Sequence, residues 1–188
     1  MNRCYSCEGV VIKRKNIGEA DKLLTVFTRE YGKKVVIAKG VRRLFSRRAP
    51  HLELFSHVRL LLNRGKTFDY VAEVVNIQPF LTLRTRLERI SFGYIVLELT
   101  ERLTAENQEA PLIFERLINY ISVLDDHETQ RSEAALALAA FKVFILEELG
   151  FIHRLDTATK EWIDGQIEEI LNAPLKSPLL LTTIQSGL

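Results

Sequence analysis

Between residues 8 and 78 the apolar positions tend to recur every second residue, and after Pro79 they recur with a period near that of a helix. In the segment KVVIAKG, Val35 and Ile37 fall on one face while Val36 and Ala38 fall on the other, the β-branched enrichment of a buried strand. Similar runs cover Gly9 to Lys15, Lys22 to Thr28, His57 to Asn63 and Phe68 to Asn76, which makes five strands. In the fourth, Val58, Leu60 and Leu62 share a face. In the fifth, Phe68, Tyr70, Ala72 and Val74 alternate with Asp69, Val71, Glu73 and Val75. Tyr31-Gly32 and Arg64-Gly65-Lys66 read as hairpin connections, and Gly40 opens a longer loop that ends at Pro50. Five short strands in about 70 residues predict a small closed barrel, of which the OB-fold is the commonest nucleic-acid binder.

Beyond Pro79, Leu83, Leu87, Ile90, Tyr94 and Leu97 form one helical stripe, and Phe92, Val96, Leu99 and Leu103 form a second, nearly opposite one. A helix apolar on both sides must be covered on both, so it is expected at the centre, between the barrel and the other helices. Pro111 fits the first turn of the next helix, with Phe114, Leu117, Ile118, Ile121 and Leu124 inward, until Asp125-Asp126 breaks it. A third helix from about Ser132 carries Leu138, Phe141, Ile145 and Leu149, with Gly150 as the residue after its end. Asp156 or Thr157 is expected to cap a last helix holding Trp162, Ile163, Ile167, Ile170 and Leu171 and closed by Pro174. The tail from Pro178 to Leu188 is apolar without a clear period. The expected fold is therefore α+β in two domains, a five-stranded OB-fold barrel over 1–80 and an α-helical domain over 81–188.

Charge sharpens this division. Residues 1–80 hold 16 Lys and Arg against 7 Asp and Glu, whereas 81–188 hold 10 against 17, although the whole chain is only +2. A front half this basic suits a polyanion such as nucleic acid. The cations bunch in KGVRRLFSRRAPH, with Lys39, Arg42, Arg43, Arg47 and Arg48 within ten positions, and continue across the barrel to Lys13, Arg14, Lys15, Lys33, Lys34, Arg64 and Lys66. These twelve side chains are the candidate nucleic-acid contacts, since guanidinium and ammonium groups bind phosphate. Phe45, between Arg43 and Arg47, is placed to stack on a base if exposed, but general burial frequencies favour packing it in the core.

Other chemistry is thinly represented. Cys4 and Cys7 have the gap of half a zinc site, but His51, His57, His127 and His153 are scattered and no second Cys pair exists. Two cysteines make no disulfide framework. Glu19 and Asp21 read as a polar turn between the first two strands rather than as paired acids. No phosphate-binding Gly-rich loop, nucleophile elbow or zinc-protease helix occurs, so no catalytic residue and no cofactor are expected. The longest nearly apolar run, Ala134 to Leu146, is short of the ~20 residues that cross a bilayer, and the start MNRCYSCEGV lacks a signal-peptide core. A cytoplasmic protein with no membrane contact is expected.

The stretch GEADKLLTVFTREYGKKVVIAKGVRR, with Gly18, Glu19, Asp21, Leu23, Leu24, Phe27, Thr28, Gly32, Ala38, Lys39 and Gly40 in place, resembles the N-terminal signature of the bacterial RecO family of DNA repair and recombination proteins. The likeness continues to about Gly150, roughly four fifths of the chain. It implies an OB-fold domain followed by a helical domain, without enzymatic turnover. It also implies a recombination mediator that binds single- and double-stranded DNA, anneals strands coated with single-strand-binding protein, and helps to load RecA together with RecR. Lys39, Arg42 and Arg43 match the family's basic loop, and Glu19 and Asp21 look like turn-shaping members of the signature. Many family members carry four zinc-binding cysteines after a helix ending in Glu-Leu-Gly; here Leu149-Gly150 is followed by FIHRLDTATKEW, so zinc is not expected. The chain is also short by family standards. Two alternatives remain: an adaptor whose basic surface meets the acidic tail of single-strand-binding protein, and an RNA-binding OB-fold factor.

Overall fold

A computed structural model describes residues 3–153 and 159–177. Five strands, β1 (Cys4–Ile17), β2 (Asp21–Thr28), β3 (Gly32–Ala38), β4 (His57–Asn63) and β5 (Asp69–Gln78), close into a barrel in the order β1-β2-β3-β5-β4. Closure rests on the length of β1. Its first half, Cys4 to Val10, runs antiparallel to β4, and its second half, Gly9 to Ile17, runs antiparallel to β2. A bulge between Val11 and Lys13 bends the strand where it changes partner. The parallel pairing of β3 with β5, through Val36–Asp69 and Ile37–Tyr70, shuts the remaining gap. This is the five-stranded topology expected of an OB-fold.

The barrel interior holds Val11, Leu24, Val26, Val36, Ala38, Val58, Leu60, Leu62 and Val71, all buried, with Val41 and Leu52 reaching in from the long loop after β3. Each fully buried Leu or Val side chain contributes roughly 1.5–3 kcal/mol relative to exposure. The alternation expected for β5 fails at one point. Leu61 pairs with Glu73 but Leu62 pairs with Val71, so a bulge at Ala72 sets two residues against one. Val71 and Val74 therefore both face the core, while Tyr70 and Ala72 are only half-buried and Phe68 lies exposed before the strand begins.

The described residues form two compact units: one contains the barrel, up to Phe80, together with Thr104–Phe114, and the other contains Leu81–Leu103 with the described residues from Glu115 onward. The division expected at residue 80 assigned 104–114 to the helices, but this segment is laced to β3. Lys33 extends its ammonium to the Thr104 carbonyl at 2.6 Å, and the Asn107 N–H donates to the Lys33 carbonyl at 2.9 Å. The Phe114 ring then lies tilted against Phe27 and edge-on to His57.

The second unit is built from α1 (Leu87–Leu103), most of α2 (Pro111–Asp125), α3 (Arg131–Glu148) and α4 (Lys160–Leu171). The second α1 stripe, Phe92, Val96, Leu99 and Leu103, is buried as expected. The first is not continuous, because Leu83 belongs to a separate 3-10 turn and Leu87, the first residue of α1, is exposed. Buried Arg89 donates to the carbonyls of Leu124, His127 and Thr129, which fixes the α2–α3 connection. α3 begins one residue before the expected start, with a reciprocal capping box between Gln130 and Glu133, and Gly150 follows its end at φ 75°. α4 is capped by the Thr159 hydroxyl; Asp156 and Thr157, expected in that role, lie outside the described residues, as does the tail from Pro178. Among the described residues no helix is long and apolar enough to cross a membrane.

Gly32 shows how tightly the 104–114 segment is held. It sits at φ 62°, and a Cβ there would lie 1.8 Å from the Gln108 carbonyl oxygen. Gly32→Ala must both strain the turn and displace that backbone. We expect a loss of about 2–4 kcal/mol of stability in urea unfolding. An unchanged midpoint would contradict the packing described.

Candidate nucleic-acid interface

The loop from Lys39 to Ser56 begins with two anchors supplied by the β1–β2 turn. Gly40, at φ 66°, points its N–H at the Asp21 carboxylate, 2.7 Å away. Two residues on, the Arg42 N–H donates to the Ala20 carbonyl at 2.8 Å, and its guanidinium to the Gly18 carbonyl at 3.1 Å. Further along, Arg48 donates to the Val71 carbonyl and to the Lys39 carbonyl, both at 2.7 Å, tying the far side of the loop to β5 and to its own start. A Pro50-containing 3-10 turn, Ala49–Leu52, then returns the chain to the core through Leu52. The loop is thus fastened at both ends while its middle projects.

Two open clefts flank the projection. One, of about 600 Å³, is lined by Arg14, Asn16, Lys22, Val41, Arg42, Arg43, Leu44 and Ala49. The other, of about 500 Å³, is lined by Lys39, Gly40, Arg43, Phe45, Ser46, Arg47 and Arg48. Arg43 borders both. Glu53 pairs with two of the cations that line the first cleft, Arg14 and, at 2.9 Å, Lys22. Burial lowers the Lys22 pKa, and the Arg14 and Arg42 guanidiniums push it in the same direction. Such crowding of cations raises the local potential and favours an incoming anion. In the second cleft the Lys39 ammonium rests over the Tyr70 ring, 4.4 Å from its centre, which steadies the side chain without neutralising it.

The remaining candidates separate into distinct environments. Lys13, Lys15, Arg47 and Lys66 are exposed. Lys34 and Arg64 lie over the Tyr5 ring at 6.0 and 4.8 Å, and Lys34 also pairs with Asp69 at 3.4 Å. Burial works to raise the Asp69 pKa, but hydrogen bonds from Tyr5 and the Gly65 N–H, together with the Lys34 charge, hold it below the usual carboxylate range. Lys33, on the list by its charge, is buried and donates from its ammonium to the Thr104 carbonyl. Arg48 is a fastener of the loop first and a phosphate ligand at most second. Phe45, expected in the core, is 89% exposed, and Leu44 beside it is 90% exposed. Lys22 and Asn16 join the first cleft although the charge pattern did not single them out; only their place across the β1–β2 hairpin from each other marks them.

Cys7 is buried and Cys4 exposed. Burial pushes the Cys7 thiol up to about 12, which makes it an inert core group. Among the described residues no three His, Cys, Asp or Glu side chains gather to hold a metal.

Models of two domains, the recombination protein O N-terminal and C-terminal domains, match residues 1–80 and 84–160 in succession. The chain belongs to the RecO family. Proteins named DNA repair protein RecO from Roseiflexus sp. and Symbiobacterium thermophilum are each 36% identical to it, over 80% and 78% of its length. One from Desulfitobacterium hafniense is 31% identical over 90%. The chain spans 51%, 57% and 60% of the length of these three RecO relatives. The RecO signature read from the sequence acquires a physical meaning here. Gly18 and Asp21 supply the acceptors that seat Arg42 and Gly40, so the two ends of the motif are halves of one anchor.

Asp21→Ala should leave the Gly40 N–H without its acceptor. A cost of about 1–2 kcal/mol in urea unfolding is expected, with faster tryptic cutting within residues 42–48 of the folded protein. Cleavage at the wild-type rate would show that the carboxylate does not hold the loop.

Proposed function

We propose that this chain is a non-catalytic DNA-binding mediator of recombinational repair, whose barrel grips DNA phosphates without regard to sequence through the anchored basic loop and its two clefts. The observation that carries this reading is the loop itself: Lys39, Arg43 and Arg47 extend from a root fastened to the barrel by Asp21 and Arg48, and all three are exposed. Phosphate binding by such groups releases condensed counterions, and that release supplies most of the affinity in sequence-independent recognition. Membership of a family whose relatives are named for DNA repair supports the cellular role. On this reading the protein binds single- and double-stranded DNA, anneals complementary strands, and works with a RecR-like partner and the tail of single-strand-binding protein in loading RecA. The acidic balance of the second half, 10 cationic against 17 anionic side chains, makes it the poorer surface for DNA and the better one for protein contacts.

The test is affinity for oligodeoxynucleotides as a function of salt. The logarithm of the binding constant should fall steeply and linearly with the logarithm of salt concentration. Replacing Lys39, Arg43 and Arg47 together by Ala should reduce the slope for single strands by about 2, at ~0.7 per phosphate contact. Arg48 is left in place because its removal would unfasten the loop. A flat slope, or an unchanged slope in the triple variant, would refute the assignment, and stronger binding to a matched RNA strand would redirect it.

A further inference from the structure

Leu44 and Phe45 break the ordinary chemistry of turns. The Ser46 N–H donates to the Arg43 carbonyl at 3.0 Å, which makes residues 43–46 a hydrogen-bonded turn with Leu44 and Phe45 at its two central positions. Such positions on an exposed loop favour Gly, Asn, Asp, Ser and Pro, whose conformations or side-chain hydrogen bonds suit the bend. Here they carry two large apolar side chains, both about nine-tenths exposed, on the most cationic stretch of the chain. Neither stabilises the barrel. The loop inserts Val41 and Leu52 into the core on either side of the projection, so apolar anchoring is already provided elsewhere. A local rule broken at no gain to the fold marks a functional position.

We propose that Phe45 is a base-stacking platform, which makes the loop selective for DNA with unpaired, accessible bases over continuous duplex. This rests on the DNA-binding reading above and adds to it the chemical group recognised. The ring lines the cleft that also presents Lys39, Arg43 and Arg47. A strand whose phosphates engage those cations brings its bases within reach of the ring, and the base–aromatic contact is indifferent to base identity. In a duplex the same faces are already stacked on their neighbours. Leu44, on the side of the first cleft, gives the tip a second apolar surface against the sugar or the adjoining base.

The experiment compares the wild-type chain of 188 residues, Phe45→Ala and Phe45→Trp on three short probes: a single-stranded oligodeoxynucleotide, its abasic counterpart with the same phosphates, and a blunt duplex. Phe45→Ala should bind the base-bearing strand about tenfold more weakly, with an unchanged salt slope, and the abasic strand like wild type. Phe45→Trp should restore the affinity and report contact by quenching of its added indole fluorescence. The proposal is overturned if Phe45→Ala binds the base-bearing strand as wild type does, or weakens both single-stranded probes equally. Failure of the underlying reading looks different, because wild type itself would then show no salt-dependent binding to any probe. Folding of the variants is checked by their urea midpoints, which should match wild type for so exposed a side chain.

Discussion

A single carboxylate fixes where the positive charge of this molecule stands. Asp21 lies at the first residue of β2 and accepts the Gly40 N–H two residues beyond the end of β3, so the β1–β2 turn and the root of the basic loop become one piece of structure. Like charges held close repel, and a loop bearing Lys39, Arg42, Arg43, Arg47 and Arg48 would relax by spreading if its ends were loose. The anchors prevent that. Arg42 and Arg48 themselves are part of the fastening, each turning a guanidinium onto backbone carbonyls. The cations of the loop thus divide into two that build it and three, Lys39, Arg43 and Arg47, that it displays. Preorganisation of this kind spares a binding event the cost of ordering the side chains it uses.

Neutralisation is rationed in the same way. Glu53 pairs with Arg14 and Lys22, which line the first cleft, and Asp69 takes Lys34 on another part of the barrel. Among the described residues no carboxylate pairs with the displayed cations, whereas Lys39 is steadied by the face of Tyr70. A ring quadrupole holds an ammonium without cancelling its charge, while a carboxylate would lower its attraction for phosphate. Residues that read as scattered charge in the sequence are therefore of two physical kinds, separated by what each one touches.

That separation explains what the sequence disclosed and what it concealed. The barrel was legible because period-two patterning in β3 and β4 puts Val36, Ala38, Val58, Leu60 and Leu62 on faces that are buried. The helical part was legible through Pro111, Gly150 and the stripe from Phe92 to Leu103. Failures came where a tertiary contact overrides a local pattern. The bulge at Ala72 changes the face of β5, and nothing in a strand's own sequence announces which residue its partner skips. Lys33 lies in a run of charged residues, yet a segment some seventy positions later claims its ammonium. Among the twelve candidate contacts, charge alone did not distinguish Arg48, a clamp, from Arg47, which is exposed; both are arginines in the same tetrad of loop residues.

Phe45 is the most instructive of these failures because the general rule pointed the wrong way. Phenylalanine is usually buried, and burial frequencies are averages over residues whose surroundings offer a core to enter. Between Gly40 and Leu52 the chain has only a few residues in which to leave the barrel, turn and return, and its two inward points are already taken by Val41 and Leu52. Geometry leaves the middle of the segment outside, whatever side chain stands there. Evolutionary pressure for stability or solubility alone would fill such a position with a polar turn former. An aromatic ring in that place, ringed by cations whose preferred counterpart is a phosphate, makes sense when the missing neighbour is a molecule that carries negative charge and flat apolar faces together. Nucleic acid with its bases exposed has both, and an acidic peptide tail offers the charge with fewer such faces.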